Sequence, residues 1–294
     1  MTPSVTVLEE VSRVAPAGIR FWDVAAGQIA NDLIVSVYPA GAPELRRPGL
    51  QGKTGVYSFR NLPGLGAIEM GPGDDDYWLA NEGVARFTLE VSDPAGRYLP
   101  WQWNIRLPHK GLLSIASSPA GLQLTPDATW LPVFSAAARP FDSALAVVRA
   151  ELQDVTVAVS PPADPVTASW ALMEVRAGSS NSAFGVADAR GIVAVPIPYP
   201  APPSVGLGSP LTGSTLPLGQ QTWPVQIRVY YGAPAVSRFP DIVQLLNQPA
   251  AFAWKDQGFA QELTSDVLRF GRDLILHTEN SSALFITVAG SPPH

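Results

Sequence analysis

Three histidines, His109, His277 and His294, are the side chains of this sequence that titrate near neutral pH. None of them has a second histidine or a carboxylate at the spacing of a metal-ligand motif. No G-x-S-x-G sequence stands before a helical pattern, so a serine nucleophile has no identifiable setting either. The histidines therefore predict no catalytic centre and no metal site.

A run of three acidic residues, Asp74, Asp75 and Asp76, stands in the segment GPGDDDYW. Carboxylates bind hard cations such as Ca²⁺ when a ligand loop spaces them, whereas adjacent carboxylates are more often a solvated turn. The glycines of GLGSPLTG lie in a proline-rich stretch, without the strand and helix that a phosphate loop needs. We therefore expect no metal and no cofactor.

The eight tryptophans offer a second kind of site, either a sugar-stacking platform or a protein interface. Trp101 and Trp103 alternate with polar residues and share a face with leucine and isoleucine, so we assign them to the core. Tyr77 and Trp78 follow the acidic run and show no such pattern. We predict these two residues as contacts of a protein interface.

The segments around these residues have the pattern of antiparallel β-structure. From Phe87 to Leu107, apolar and polar side chains alternate along both arms of a predicted hairpin. The same alternation recurs from Ala171 to Val175 and from Trp223 to Tyr231. A period of two predicts antiparallel strands with one face toward water.

Two turns of the same chemistry stand in different halves of the chain, in VSDPAGRYLP and in VADARGIVAVP. Asp93 and Asp188 suit the first position of a type I turn, where the carboxylate accepts a nearby backbone N–H. Gly96 and Gly191 suit the position that requires positive φ. Each stretch is predicted to be a hairpin loop.

Helical spacing is scarce in this sequence. In PDIVQLLNQP the residues Ile242, Leu245 and Leu246 recur at i, i+3 and i+4 between two prolines, which predicts one short helix near 240–247. Residues 196–217 are rich in proline, which cannot donate to a strand ladder, so this stretch is predicted to be a long loop.

The predicted fold class is all-β, with two tandem antiparallel β-sandwich domains and one short helix. The first domain is assigned to residues 1–140 and the second to residues 141–294, with the boundary in SAAARPFDSALAVV. The second domain contains the proline-rich loop and the helix.

Composition restricts the partners of the chain. Charged residues make up 15% of it and the net charge is −6, without a basic block for phosphates, so we expect no nucleic acid partner. No apolar run is long enough to insert in a membrane. The absence of cysteine excludes disulfides and thiolate chemistry. The first residues lack a leading cation and include Glu9 and Glu10, so we expect no secretory signal and a cytoplasmic location.

Two segments of the first half carry a family resemblance. IRFWDVAAGQIANDLIVSVYPAG followed by GVYSFRNLPGL resembles the transthyretin-like, carboxypeptidase-regulatory-like β-sandwich, in which a G-x-Y-x-F-x-x-L-P arm recurs. That domain type is non-catalytic and commonly serves as a scaffold or adhesive module. The order of SDPAGRYLPW, LPVFSAAARPF, ALAVVRAEL and ADARGIVAVPIPYP further resembles proteins among the structural genes of phage-tail-like extracellular contractile injection systems.

This resemblance implies a structural or adaptor subunit of a contractile injection particle, with no enzymatic activity, assembled in the cytoplasm. We expect a homo-oligomer that contacts cap (terminator), tube or sheath subunits, with the cap end as its first position and the baseplate as the alternative. A carbohydrate-binding or adhesin module is an alternative from another class. So is a glycoside hydrolase, which requires two carboxylates flanking a cleft.

Overall fold

The computed structural model describes residues 13–115, 124–156, 166–178, 182–200, 218–233 and 238–288. Within these residues the chain consists mainly of strands, and its helices are short. The predicted all-β class with a short helix is confirmed.

The described strands of the first half are β1 (Gly18–Asp23), β2 (Gln28–Ile29), β3 (Ile34–Pro39), β4 (Arg47–Pro48), β5 (Leu50–Gln51), β6 (Tyr57–Ser58), β7 (Ala85–Ser92), β8 (Trp101–Leu107) and β9 (Trp130–Val133). One sheet has the order β2-β1-β6-β5 with β9 parallel to β1, and the other has the antiparallel order β4-β3-β7-β8. Both sheets contribute to one apolar core, which includes Phe21, Val37, Leu89 and Trp101. This half is therefore sandwich-like.

The described strands of the second half are β10 (Leu145–Asp154), β11 (Val166–Thr167), β12 (Leu172–Ala177), β13 (Ala183–Val186), β14 (Ile192–Pro198), β15 (Thr222–Tyr230), β16 (Ala250–Trp254), β17 (Ser265–Arg269), β18 (Leu274–Leu276) and β19 (Leu284–Val288). Strand β10 pairs with β14 and β18 along its first part and with β11 and β19 along its last part. The ladder then continues from β19 through β16, β15 and β12 to β13. These strands enclose a second apolar core, which includes Val148, Val175, Ile227 and Ile286.

The described α-helices are α1 (Gly66–Glu69), α2 (Asp75–Asn81) and α3 (Ile242–Leu246), and 3-10 turns span Pro43–Leu45 and Leu218–Gln220. Helix α3 is the one predicted near 240–247. It begins where the carboxylate of Asp241 accepts the backbone N–H groups of Val243 and Gln244, at 2.9 and 3.2 Å. Helices α1 and α2 were not predicted, because one or two turns are too short to display an apolar period.

The two halves are separate in strand pairing but continuous in packing. Of the described strands, none pairs across residue 140. Helix α3, Trp170, Leu172 and Tyr230 nevertheless pack into the apolar core of the first half. The domain boundary near residue 140 therefore stays a prediction.

The two predicted turns have the expected backbone. Gly96 has a φ of +66° and Gly191 a φ of +79°, so the predicted positive φ is confirmed at both glycines. The Asp93 carboxylate accepts the backbone N–H of Arg97 at 2.6 Å, and the Asp188 carboxylate accepts that of Ile192 at 3.0 Å. Both aspartates therefore close their turns.

The turns differ in the strands that they join. The Asp93 turn lies between β7 and β8, which pair with each other, so that hairpin is confirmed. The Asp188 turn lies between β13 and β14, which pair with β12 and β10 respectively. The predicted second hairpin is therefore wrong, because turn chemistry sets the local backbone but does not select the strand's partner.

Strand β14 also corrects the predicted loop at 196–217. The strand continues through Pro196 and Pro198, which lie opposite Val147 and Leu145 of β10. The described part of the chain gives β14 no other strand partner, and prolines two residues apart direct their nitrogens to the same, unpaired edge. Residues 201–217 of the predicted loop lie outside the described residues.

Strand β7 differs from its predicted half-buried pattern. Phe87, Leu89 and Val91 are buried as predicted. Thr88 and Glu90, predicted to face water, are also buried, at 7% and 4% exposure. The groups that cover Thr88 and Glu90 come from distant parts of the chain, so the alternation along one strand could not reveal them.

Candidate protein interface

The acidic run begins helix α2, and its three carboxylates have separate surroundings. Asp74 is the N-cap, and its Oδ1 accepts the backbone N–H of Tyr77 at 2.8 Å. Asp75 Oδ1 accepts a hydrogen bond from Lys110 Nζ at 2.7 Å, and Asp76 is exposed in the first turn. Carboxylates in the first turn also favour the positive end of the helix dipole. The run therefore acts as a helix start, and the described residues contain no group of three acidic or histidine side chains that fits a metal ion.

Tyr77 and Trp78 hold α2 against the rest of the protein. The Tyr77 hydroxyl donates to the carbonyl oxygen of Ile68 at 2.9 Å, and its ring covers Gly71, where a Cβ atom would lie 2.1 Å from the ring. Trp78 is 7% exposed. Trp78 was predicted to lie at the surface. The structure buries it, because the helix turns this side chain inward.

The exposed apolar residue of this segment is Leu79, at 84% exposure. Successive residues on an α-helix point about 100° apart, so a buried Trp78 leaves Leu79 turned toward solvent. Asp76 and Ala80 are also exposed, and Asp76 stands three residues before Leu79. We call Asp76, Leu79 and Ala80 the α2 face. The N-cap signal at Asp74 marks a helix start, and this feature of the sequence would have revealed the face.

Contacts with the segment that follows β8 hold the α2 face in position. Glu82, just after the helix, pairs with His109 Nδ1 at 3.0 Å, and the Gly83 N–H donates to the Pro108 carbonyl at 2.8 Å. Together with the Lys110–Asp75 pair, these contacts anchor both ends of α2. The helix thus presents Leu79 from a supported position.

His109 therefore has a structural partner, and the other histidines add no site. His277 Nδ1 lies 3.1 Å from the Thr278 carbonyl oxygen, and His294 lies outside the described residues.

A fully buried carboxylate, Asp23, lies far from α2 in sequence and joins distant segments. Its Oδ1 accepts the backbone N–H groups of Ala25 and Ala26, both at 3.0 Å. Its Oδ2 accepts from the Tyr98 hydroxyl at 2.9 Å and from Arg139 Nη1 at 2.8 Å. Burial and the hydrogen bond to Asp23 raise the pKa of Tyr98 to about 12. Sequence reasoning missed this cluster, since its members are widely separated.

Two further buried glutamates have the same kinds of partner. Glu90 accepts from the Tyr38 hydroxyl at 2.8 Å and pairs with Arg46 Nη2 at 2.8 Å. Burial, with the bond to Glu90, raises the pKa of Tyr38. Glu174 accepts from the Tyr230 hydroxyl at 2.8 Å, and burial with that bond raises the pKa of Tyr230. Each carboxylate is thus an acceptor in a cross-link between strands.

Two partly exposed tryptophans, Trp22 and Trp130, do not form a flat platform. Trp22 of β1 and Trp130 of β9 meet edge to face, with ring centroids 5.4 Å apart and planes at 73°. The guanidinium of Arg20 lies over the Trp130 ring, 5.4 Å from its centroid. The two rings are therefore not coplanar, and a cation lies over one of them, whereas a sugar-stacking platform needs an open ring face.

A groove of about 620 Å³ lies beside β15 and β16. Its lining includes Arg228, Tyr230, Phe252 and Glu262. Arg228 and Tyr230 belong to the Glu174 cluster, with Arg228 Nη1 4.0 Å from the Glu174 carboxylate. The groove is lined mainly by apolar residues and lies beside the Glu174 cross-link.

No protein-family model matches the chain, and no curated sequence matches it.

Within the described residues, no helix is both long enough and apolar enough to cross a membrane.

Proposed function

We propose that this chain is a non-catalytic structural subunit of a phage-tail-like contractile injection particle, acting as an adaptor at the cap (terminator) end. The proposed class of particle comes from the resemblance of SDPAGRYLPW and the segments that follow it to structural proteins of contractile injection systems. The observation that carries the assembly role is Leu79, a large apolar side chain held 84% exposed on an anchored helix. Apolar surface rimmed by polar residues is typical of protein contact sites, and Met70 and Val84, at 55% and 59% exposure, add exposed apolar side chains on the segments that flank the helix.

The buried carboxylates support the same proposal. Asp23, Glu90 and Glu174 each bind a tyrosine hydroxyl and lie beside an arginine, and these hydrogen bonds join separate segments. Such cross-links suit a subunit that must keep its shape under mechanical load.

The experiment that tests the role has a genetic and a biochemical arm. Deleting the gene and imaging the particles is expected to yield particles that lack a normal cap or have uncontrolled length. The purified protein is expected to bind the terminator, tube or sheath subunit when each is mixed with it. Normal particles together with no binding to any of these subunits would contradict the proposal. Binding to baseplate subunits alone would indicate a position at the baseplate end of the particle instead of the cap end.

A pair of matched variants tests the surface that carries the argument. Leu79→Ser is expected to weaken subunit binding, because it removes apolar area that a partner would bury. Ile275→Ser is the control, since Ile275 is also exposed, at 63%, but lies on β18 in the second half. Equal binding by both variants would show that Leu79 is not a contact.

A further inference from the structure

Two arginines of like charge stand directly opposite each other on neighbouring strands. Arg86 of β7 and Arg106 of β8 are register partners. The Arg86 carbonyl accepts the N–H of Ala40 at 3.0 Å, so the Arg86 backbone is turned toward β3 and away from β8. The two arginines are therefore a non-hydrogen-bonded pair, the kind in which side chains lie closest, with Cα atoms about 4.5 Å apart. Like charges in this arrangement destabilise a sheet.

The positive charge of this pair is not neutralised within the described chain. Other arginines, such as Arg46, Arg97 and Arg139, form ion pairs with carboxylates. Among the described residues no carboxylate lies within ion-pair distance of Arg86 or Arg106. A groove of about 390 Å³, also lined by Ala40 and Asn104, lies along the pair. On a protein of net charge −6, this is a local concentration of positive charge.

The segment that follows α2 contacts this arginine pair, and the α2 face has the complementary chemistry. Arg106 Nη1 donates to the Gly83 carbonyl at 3.4 Å, so the end of the α2 segment lies against β8. Asp76 has no ion-pair or hydrogen-bond partner among the described residues, and Leu79 beside it is exposed. An acid without an ion-pair partner and an exposed apolar residue thus stand on a helix whose C-terminal end leads to Gly83, which contacts one arginine of the pair.

We propose that two copies of this chain associate about a two-fold axis, with the α2 face of each copy seated on the Arg86–Arg106 pair of the other. A two-fold interface uses the same patch on both subunits, so it must be complementary to itself. A patch that contains an acidic, apolar half and a basic half meets this requirement. Asp76 of each copy then accepts charge-assisted hydrogen bonds from the two guanidinium groups of its partner, and Leu79 is removed from water.

This inference rests on the proposed function and names a second copy as the occupant of the α2 face, so that Leu79→Ser weakens the binding of other subunits by dissociating the dimer that binds them. It also explains why the arginine pair is tolerated: the repulsion that costs stability in one chain is relieved in the dimer. A stable two-fold contact buries about 800 Å² on each partner, so neighbouring exposed residues such as Val84 are expected to join it.

Charge exchange tests the proposal on the full-length chain, with mass measured by light scattering after gel filtration. The wild type is expected to have twice the mass of one chain. Asp76→Arg alone and the Arg86→Glu/Arg106→Glu double variant alone are expected to have the mass of one chain, since like charges then meet at both contacts. An equimolar mixture of the two variants is expected to return to twice that mass, because both contacts are complementary again.

The control is Lys53→Glu/Arg60→Glu, which changes the net charge as the arginine double variant does, at exposed residues of the same half. It is expected to remain a dimer, and circular dichroism checks that every variant is folded. A monomeric wild type, variants that keep the dimer mass, or a mixture that stays monomeric would each overturn the proposal. Binding of terminator, tube or sheath subunits is measured separately, so loss of the dimer without loss of that binding would leave the proposed function standing.

Discussion

At the scale of single residues, the Asp23 cluster shows how this protein holds charge inside an apolar sandwich. Asp23 is fully buried, and its four hydrogen bonds come from two backbone N–H groups, a tyrosine and an arginine. A buried carboxylate without such partners would cost several kcal/mol. The guanidinium of Arg139 also lies over the Tyr98 ring, 5.0 Å from its centroid. The cluster therefore ties β1 to the Asp93 loop and to the segment after β9.

Tyr98 makes this cluster visible in the pH dependence of stability. Its pKa is raised from 10.0 to about 12, so the folded state keeps the phenol proton after the unfolded state has lost it. The contribution of protonated Tyr98 to the free energy of unfolding is fully present below about pH 10. It is lost as the pH rises toward 12, at roughly 1.4 kcal/mol per pH unit. Urea unfolding across this window is expected to show a steeper loss for the wild type than for Tyr98→Phe. Other buried tyrosines affect both proteins equally, so parallel curves would contradict the assignment.

At the scale of elements, the two Asp-to-Gly turns have the same backbone and different surroundings. A Cβ at Gly96 would meet no atom within 4 Å. A Cβ at Gly191 would lie 2.5 Å from the Leu152 carbonyl oxygen on β10. The second turn is thus pressed against a strand of its own sheet, while the first faces open space.

This difference predicts unequal effects of the same substitution. Gly96→Ala is expected to destabilise the protein by about 1 kcal/mol, the cost of holding alanine at positive φ. Gly191→Ala adds a steric clash with backbone that cannot rotate away, so it is expected to cost a further ~1–3 kcal/mol. Urea unfolding of both variants measures the two costs. Equal losses would mean that β10 yields to the new methyl group.

Helix α2 shows what a short element hides in a sequence. The segment DDDYWLAN has both a capping aspartate and an acidic first turn, and these are readable signals. Which of its two apolar residues is buried depends on α1 and on the segment after β8, which pack against it. The prediction of an interface in this segment therefore chose Trp78, and the structure leaves Leu79 exposed.

At the scale of the whole molecule, α3 connects the halves. The helix belongs to the second half by sequence, yet Ile242, Leu245 and Leu246 are buried in the core of the first half. The N–H of Gln102 on β8 also donates to the Pro240 carbonyl at 2.9 Å, just before the helix. The first sandwich is therefore completed by a segment from the second.

Leu245→Ala tests this dependence. Removing a buried leucine side chain leaves a cavity and is expected to cost about 2–5 kcal/mol. Because the cavity lies in the first core, amide hydrogen exchange is expected to accelerate in β7 and β8. Gln244→Ala, at the exposed position before it, is the control and is expected to leave exchange unchanged. Acceleration confined to the second half would show that α3 does not stabilise the first.

The sequence alone was enough to predict the all-β class, the β7–β8 hairpin, the backbone of both turns and helix α3. Each of these depends on side-chain alternation, turn chemistry or capping within a few residues, where local sterics and hydrogen bonding decide the conformation. Only the tertiary structure decided the burial of Glu90, the inward position of Trp78, the separate ladders of β13 and β14, and the register that brings Arg86 opposite Arg106. Burial and strand pairing depend on contacts between segments that are distant in the sequence, so local patterns do not determine them.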